Sequence, residues 1–84
     1  MNNVEVKYRG HLASLTGIVE ESFDAVNVED LLNSLKKRHS HEAEKTARAM
    51  LITVNGKSIH LLKHYKTALA PGDTVGFFPI CAGG

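Results

Sequence analysis

Two glycines, Gly83 and Gly84, close the sequence after Phe77-Phe78-Pro79-Ile80-Cys81-Ala82. Folding asks for nothing of the kind at a chain end, because termini ordinarily fray without consequence. Chemistry gives the pair a use. Glycine has no Cβ, so Ala82-Gly83-Gly84 is narrow enough to thread a slot and reaches backbone geometries that other residues resist. Extended from Ile80 onward, the tail spans at most about 17 Å, which would put the Gly84 carboxylate inside a partner's active site while the domain stays outside. A free carboxylate is a poor electrophile and must first be activated. Adenylation by ATP would make an acyl-adenylate at Gly84, and a sulfur or amine nucleophile could then displace AMP. No side chain on Gly84 blocks either face of its carbonyl.

The other reactive residue types form no comparable set. His11, His39, His41, His60 and His64 stand at no ligand spacing reinforced by cysteine or carboxylate, so they read as solvated and no metal site is expected. No Ser/His/Asp set, paired-carboxylate site or phosphate-cradling glycine loop is visible, as expected of a non-catalytic chain that brings a reactive end to another protein's active site. The single cysteine, Cys81, precludes an internal disulfide and reads as a small residue tolerated beside the tail.

At 84 residues the chain suits one compact domain, too short to wall in a deep substrate pocket. The expectation is a single domain over residues 1–79 and a flexible tail over residues 80–84. A net charge of +1 exerts no long-range pull on nucleic acid or anionic lipid. Apolar stretches such as residues 75–82 fall far short of a bilayer crossing, and the N-terminus lacks a signal-peptide pattern, so the cytoplasm is the expected location with no membrane partner.

The elements that must present the tail follow from periodicity. Val4, Val6 and Tyr8 alternate with Glu5, Lys7 and Arg9, the period of two of a half-buried strand. A helical turn near Leu12 to Leu15 leads through Gly17 to a second strand over residues 18–23. Asn27 reads as an N-cap with Asp30 in an acidic first turn, and Val28, Leu31, Leu32 and Leu35 share one helix face. Lys36, Lys37, Arg38 and His39 lie in its last turns, where positive charge complements the macrodipole. Ala43, Ala47 and Met50 suggest a short second helix. Residues 51–54 read as a strand, Asn55-Gly56 as a hairpin turn, and residues 58–61 as the returning strand. Pro71-Gly72 marks another turn before a last strand over residues 74–79. On that strand Val75 and Phe77 face the core, whereas Phe78 falls on the other face. There it is either a docking anchor or buried under residues 62–69. Strand, strand, helix, strand, strand, strand, with helices on one face of a mixed sheet, is α+β and fits a β-grasp.

The run Pro71-Gly72-Asp73, then Thr74-Val75-Gly76-Phe77-Phe78-Pro79, then Ala82-Gly83-Gly84, resembles the MoaD/ThiS family of ubiquitin-like sulfur carriers, and within it the MoaD branch. Length, element order and Val54-Asn55-Gly56 extend the resemblance along the chain. It departs from the family pattern at Ile80-Cys81, where Pro-Val is common, and at Arg9. The resemblance implies a β-grasp fold and a cycle in which a MoeB-like enzyme uses ATP to adenylate Gly84 and a sulfur donor enzyme then makes a thiocarboxylate. It also implies delivery of that sulfur to a pterin precursor held by a MoaE-like large subunit, in a heterotetrameric molybdopterin synthase. Ala82 and Gly83 would thread the partner, and Phe78, Pro79 and Ile80 would dock against it. Two other uses of the same residues stay open: a thiamine-type carrier or ubiquitin-like modifier joined through Gly84, and a binding module with an inert tail.

Overall fold

The computed structural model describes residues 2–80; Met1 and residues 81–84 lie outside the description. Five strands form one mixed sheet: β1 (Asn3–Tyr8), β2 (Glu20–Asp24), β3 (Leu51–Val54), β4 (Lys57–Ser58) and β5 (Thr74–Phe78), in the order β2-β1-β5-β3-β4. The central pair, β1 and β5, is parallel, with Tyr8 opposite Phe77. β2 pairs antiparallel with β1, and β3 antiparallel with β5. Three helices, α1 (Gly10–Thr16), α2 (Val28–Arg38) and α3 (His41–Arg48), complete the α+β, β-grasp architecture.

The alternation read from the sequence places Val4, Val6, Tyr8, Val75 and Phe77 on the inner face, and Phe23, Ile52 and Val54 join them. There they bury against Leu12 and the apolar stripe Val28, Leu31, Leu32 and Leu35. α2 starts where Asn27 accepts a hydrogen bond from the Asp30 amide, with Glu29 and Asp30 in its first turn. Ser40 caps α3 in the same way through the Ala43 amide.

Three expected boundaries shift. The second strand begins at Glu20, not at residue 18: Ile18 and Val19 are exposed in the turn after α1. The returning strand after Asn55-Gly56 is only Lys57–Ser58, because the Ser58 hydroxyl accepts from the His60 amide and starts a 3-10 turn, Ile59–Leu61, that carries Ile59 into the core. The last strand ends at Phe78, one residue before Pro79, which has no amide hydrogen for a ladder.

Residues 62–69, with a second 3-10 turn at His64–Lys66, run along the helix side. The Val28 amide donates to Thr67 O at 3.1 Å and the Leu69 amide to Val26 O at 3.0 Å. That placement removes the alternative in which this segment would cover Phe78. No helix among the described residues is long and apolar enough to cross a membrane.

Candidate functional site

Because β1 and β5 are parallel and β3 is antiparallel to both, the ends of β1 and β5 and the start of β3 meet at one edge of the sheet. Tyr8, Phe77, Phe78 and Leu51 gather there. The tail leaves from that edge. On the uncovered face, Phe78 is half-buried in a shallow depression of about 500 Å³ with Lys7, Leu51, Thr53, Thr74 and Gly76. Its ring lies over Gly76 so closely that a Cβ on Gly76 would stand 2.6 Å from Phe78 Cε2 and 3.0 Å from Thr53 Oγ1.

Pro79 turns to the β1 side. It packs on Gly10, whose φ of +59° begins α1, and a Cβ on Gly10 would stand 2.7 Å from Pro79 Cγ. Ile80 follows, 60% exposed. The structure therefore assembles three residues named from the sequence, Phe78, Pro79 and Ile80, at the root of the tail. Ala82, Gly83 and Gly84 lie outside the described residues, as does Cys81. Sequence reasoning missed Gly10 and Gly76. The signal for Gly10 was the parallel pairing of first and last strands, which brings it beside Pro79, and the signal for Gly76 was the alternation along β5 that puts it on one face with Phe78.

A polar cluster braces the same edge from behind. The buried Tyr8 hydroxyl donates to Glu21, which also pairs with His39 and accepts from Arg38 Nη1 at 3.1 Å. Arg38 further donates to Ser22 O at 2.7 Å and stacks 3.9 Å over the Phe23 ring. Burial, and then the bond to Glu21, push the Tyr8 phenol far above its ordinary range, so it stays a donor. Burial pushes the Glu21 carboxyl up, but the hydrogen bonds from Tyr8, His39 and Arg38 outweigh it and hold the group below its ordinary value.

The opposite edge is locked by its turns. Asn55, at φ 51°, donates to Asp73 Oδ1 at 3.0 Å and accepts from the Thr74 amide at 3.0 Å, and Asp73 Oδ2 accepts from the Ala70 amide at 2.8 Å. The Ala70 amide, then Asn55, hold the Asp73 carboxyl below its usual range. Both turns thus fix where the five-residue β5 starts. No three His, Cys, Asp or Glu side chains converge among the described residues. The arrangement is a rigid end of a sheet with an apolar face beside an outgoing chain.

No curated protein matches the sequence. Among solved structures it is similar to small archaeal modifier protein 1 from Methanosarcina acetivorans, at 26% identity and TM-score 0.84 over 100% of this chain and 98% of that one. It is also similar to a Pyrococcus furiosus protein described as subunit 1 of a molybdopterin converting factor. That likeness has 28% identity and a TM-score of 0.71 over 94% of this chain and 98% of the other. The complex of subunits 1 and 2 of the Helicobacter pylori molybdopterin-converting factor shows the same fold, at 20% identity and TM-score 0.69 over 98% and 99% of the two chains. The sequence model of the ThiS family matches residues 6–84, the tail included, and the chain belongs to that family of ubiquitin-like sulfur carriers.

Proposed function

We propose that this chain is the small subunit of a molybdopterin synthase, a carrier whose Gly84 is adenylated and then converted to a thiocarboxylate. The observation that carries the reading is the uncovered apolar root of the tail, Phe78 and Ile80 flanking a Pro79 fixed on Gly10, directly ahead of Ala82-Gly83-Gly84. A partner that grips this root receives the last residues at a set distance and from a set side. Its partners are then a MoeB-like adenylating enzyme, a sulfur donor enzyme, and a MoaE-like large subunit in a heterotetramer. The Helicobacter structure, in which subunit 1 stands in complex with subunit 2, supports the last of these.

In the first step a Gly84 carboxylate oxygen attacks the α-phosphorus of ATP and pyrophosphate leaves. A hydrosulfide-level sulfur nucleophile then attacks the carbonyl, AMP leaves, and a thiocarboxylate remains. Its sulfur is more polarisable than the oxygen it replaces and attacks a carbon centre of the pterin precursor on the large subunit, whose side chains help an oxygen leaving group depart; water then cleaves the acyl–sulfur bond, leaving the sulfur on the pterin and returning Gly84 as a carboxylate.

A second reading has its own support. Likeness to the Methanosarcina modifier at 26% identity fits conjugation of activated Gly84 to a lysine amine. Intact mass spectrometry separates the two. After incubation with adenylating enzyme, ATP and sulfur donor, the carrier gains the mass of sulfur for oxygen at Gly84. An unchanged mass, with function intact after deletion of Gly84, overturns the carrier reading, and isopeptide-linked Gly84 on other proteins establishes the modifier.

A further inference from the structure

Of the three arginines, Arg9 alone pairs with no carboxylate among the described residues, and it stands beside the root of the tail. Arg38 pairs with Glu21 at 3.1 Å, and Arg48 with Glu29 and Glu44 at 2.9 Å each. The Arg9 guanidinium bonds only to backbone, from Nη1 to the Tyr8 carbonyl at 2.8 Å. Arg9 is exposed, so the remaining donors of its planar fork face solvent.

The sheet fixes its place. In the parallel register Tyr8 lies opposite Phe77, and Gly10 packs on Pro79, so Arg9 sits between these two contacts. Its backbone, at φ −137° and ψ 161°, continues the extended line of β1. The side chain therefore leaves on the same uncovered face as Lys7, which lines the depression that holds Phe78. Glu20 stands across from Lys7 on β2 and offsets its charge. Arg9 is thus the uncompensated cation beside Phe78 and the outgoing chain, and an arginine next to an aromatic anchor is a combination enriched among the residues that carry binding energy.

A slot that takes Ala82-Gly83-Gly84 must set its mouth against this root. The Gly84 carboxylate reaches at most about 17 Å from Ile80, so in a threaded complex Arg9 meets the mouth and not the nucleotide inside. A carboxylate answers a free guanidinium fork, through two parallel N–H···O bonds. The adenylating partner has the greatest use for such a pair, because there an anionic Gly84 must approach the triphosphate of ATP, and attraction at the mouth offsets that repulsion.

Given a carrier whose Gly84 is adenylated, we propose that Arg9 is a specificity-determining residue that selects the adenylating enzyme by pairing with a carboxylate at the mouth of its tail slot. The test measures pyrophosphate release by that enzyme with ATP and with the full chain as the varied substrate. Arg9→Gln keeps a donor for the Tyr8 carbonyl but removes the charge; it should raise KM about tenfold and leave kcat as it was. Arg9→Glu should raise KM further, and Arg9→Lys should fall between the parent and Arg9→Gln. The gap between the parent and Arg9→Gln should narrow as salt rises from about 0.05 M to about 0.5 M. Lys57→Gln, on the edge strand β4, should change nothing. A chain lacking Gly84 should release no pyrophosphate; if the parent releases none either, the carrier reading fails and takes this inference with it. If the parent is adenylated and both Arg9→Gln and Arg9→Glu match its KM at low salt, Arg9 has no selecting role and the carrier reading stands. A lowered kcat at unchanged KM overturns the selecting role as well, since the residue would then act on the chemical step and not on docking.

Discussion

The ring of Phe78 occupies the space that a side chain on Gly76 would need: a Cβ there would stand 2.6 Å from Phe78 Cε2 and 3.0 Å from Cζ. The two residues alternate onto the same uncovered face of β5, so the absence of one side chain is what lets the other lie flat. Gly76→Ala should therefore destabilise the fold by about 1–3 kcal/mol through overpacking, and Phe78→Ala should remove much of that penalty. A double-mutant cycle by chemical denaturation checks this. Coupling below about 0.5 kcal/mol would mean that Thr53, 3.0 Å from the same position, is the real obstacle.

Phe78 is half-buried on a face without helices, so truncating it removes little core. Phe78→Ala should weaken binding to the adenylating enzyme by about 2 kcal/mol, as expected of an aromatic anchor, and lower stability by less. Calorimetric binding and denaturation of the same variant measure both. A large stability loss with unchanged affinity would make Phe78 a structural residue only.

The Gly10–Pro79 contact predicts a different outcome. Gly10→Ala meets a φ of +59° and a 2.7 Å approach to Pro79 Cγ together. The loss should be about 1–3 kcal/mol. Pro79→Ala in the same chain should restore the part due to the clash and leave the part due to backbone strain. In the Gly10→Ala chain, Pro79 must move off β1, so amide resonances of Phe78 and Ile80 should shift more than those of the opposite turn at Asn55. Equal shifts at both ends would show a general loosening of the sheet.

Much of this was legible in the sequence because burial enforces period. Val4, Val6 and Tyr8 alternate, the α2 stripe repeats at helical spacing, and Asn27 caps by a side-chain bond that residue type announces. What escaped was set by contacts between distant segments. Ser58 turns its hydroxyl to the His60 amide and ends a strand that β-propensity would continue, and Gly10 looks like a turn glycine until β5 brings Pro79 beside it.

The network behind the tail root makes stability depend on acid. Burial raises the Glu21 carboxyl, but Tyr8, His39 and Arg38 lower it further, so the folded pKa lies beneath the unfolded value of 4.5. A group depressed in this way contributes stability that is present above its unfolded pKa and is lost as pH falls through the folded one. Glu21→Gln keeps an acceptor for the Tyr8 hydroxyl but cannot change charge. It should be less stable than the parent at about pH 7 and nearly equal to it at about pH 2, below the carboxylate range. Glu29, lowered mainly by Arg48, and Asp73, lowered mainly by the Ala70 amide, keep their own acid dependence, so the variant's profile should flatten without becoming level. Denaturant midpoints of both proteins across this range measure the gap. A gap that stays constant from neutral to acid pH would mean that Glu21 acts through packing alone, and that its charge does not brace the edge from which the tail departs.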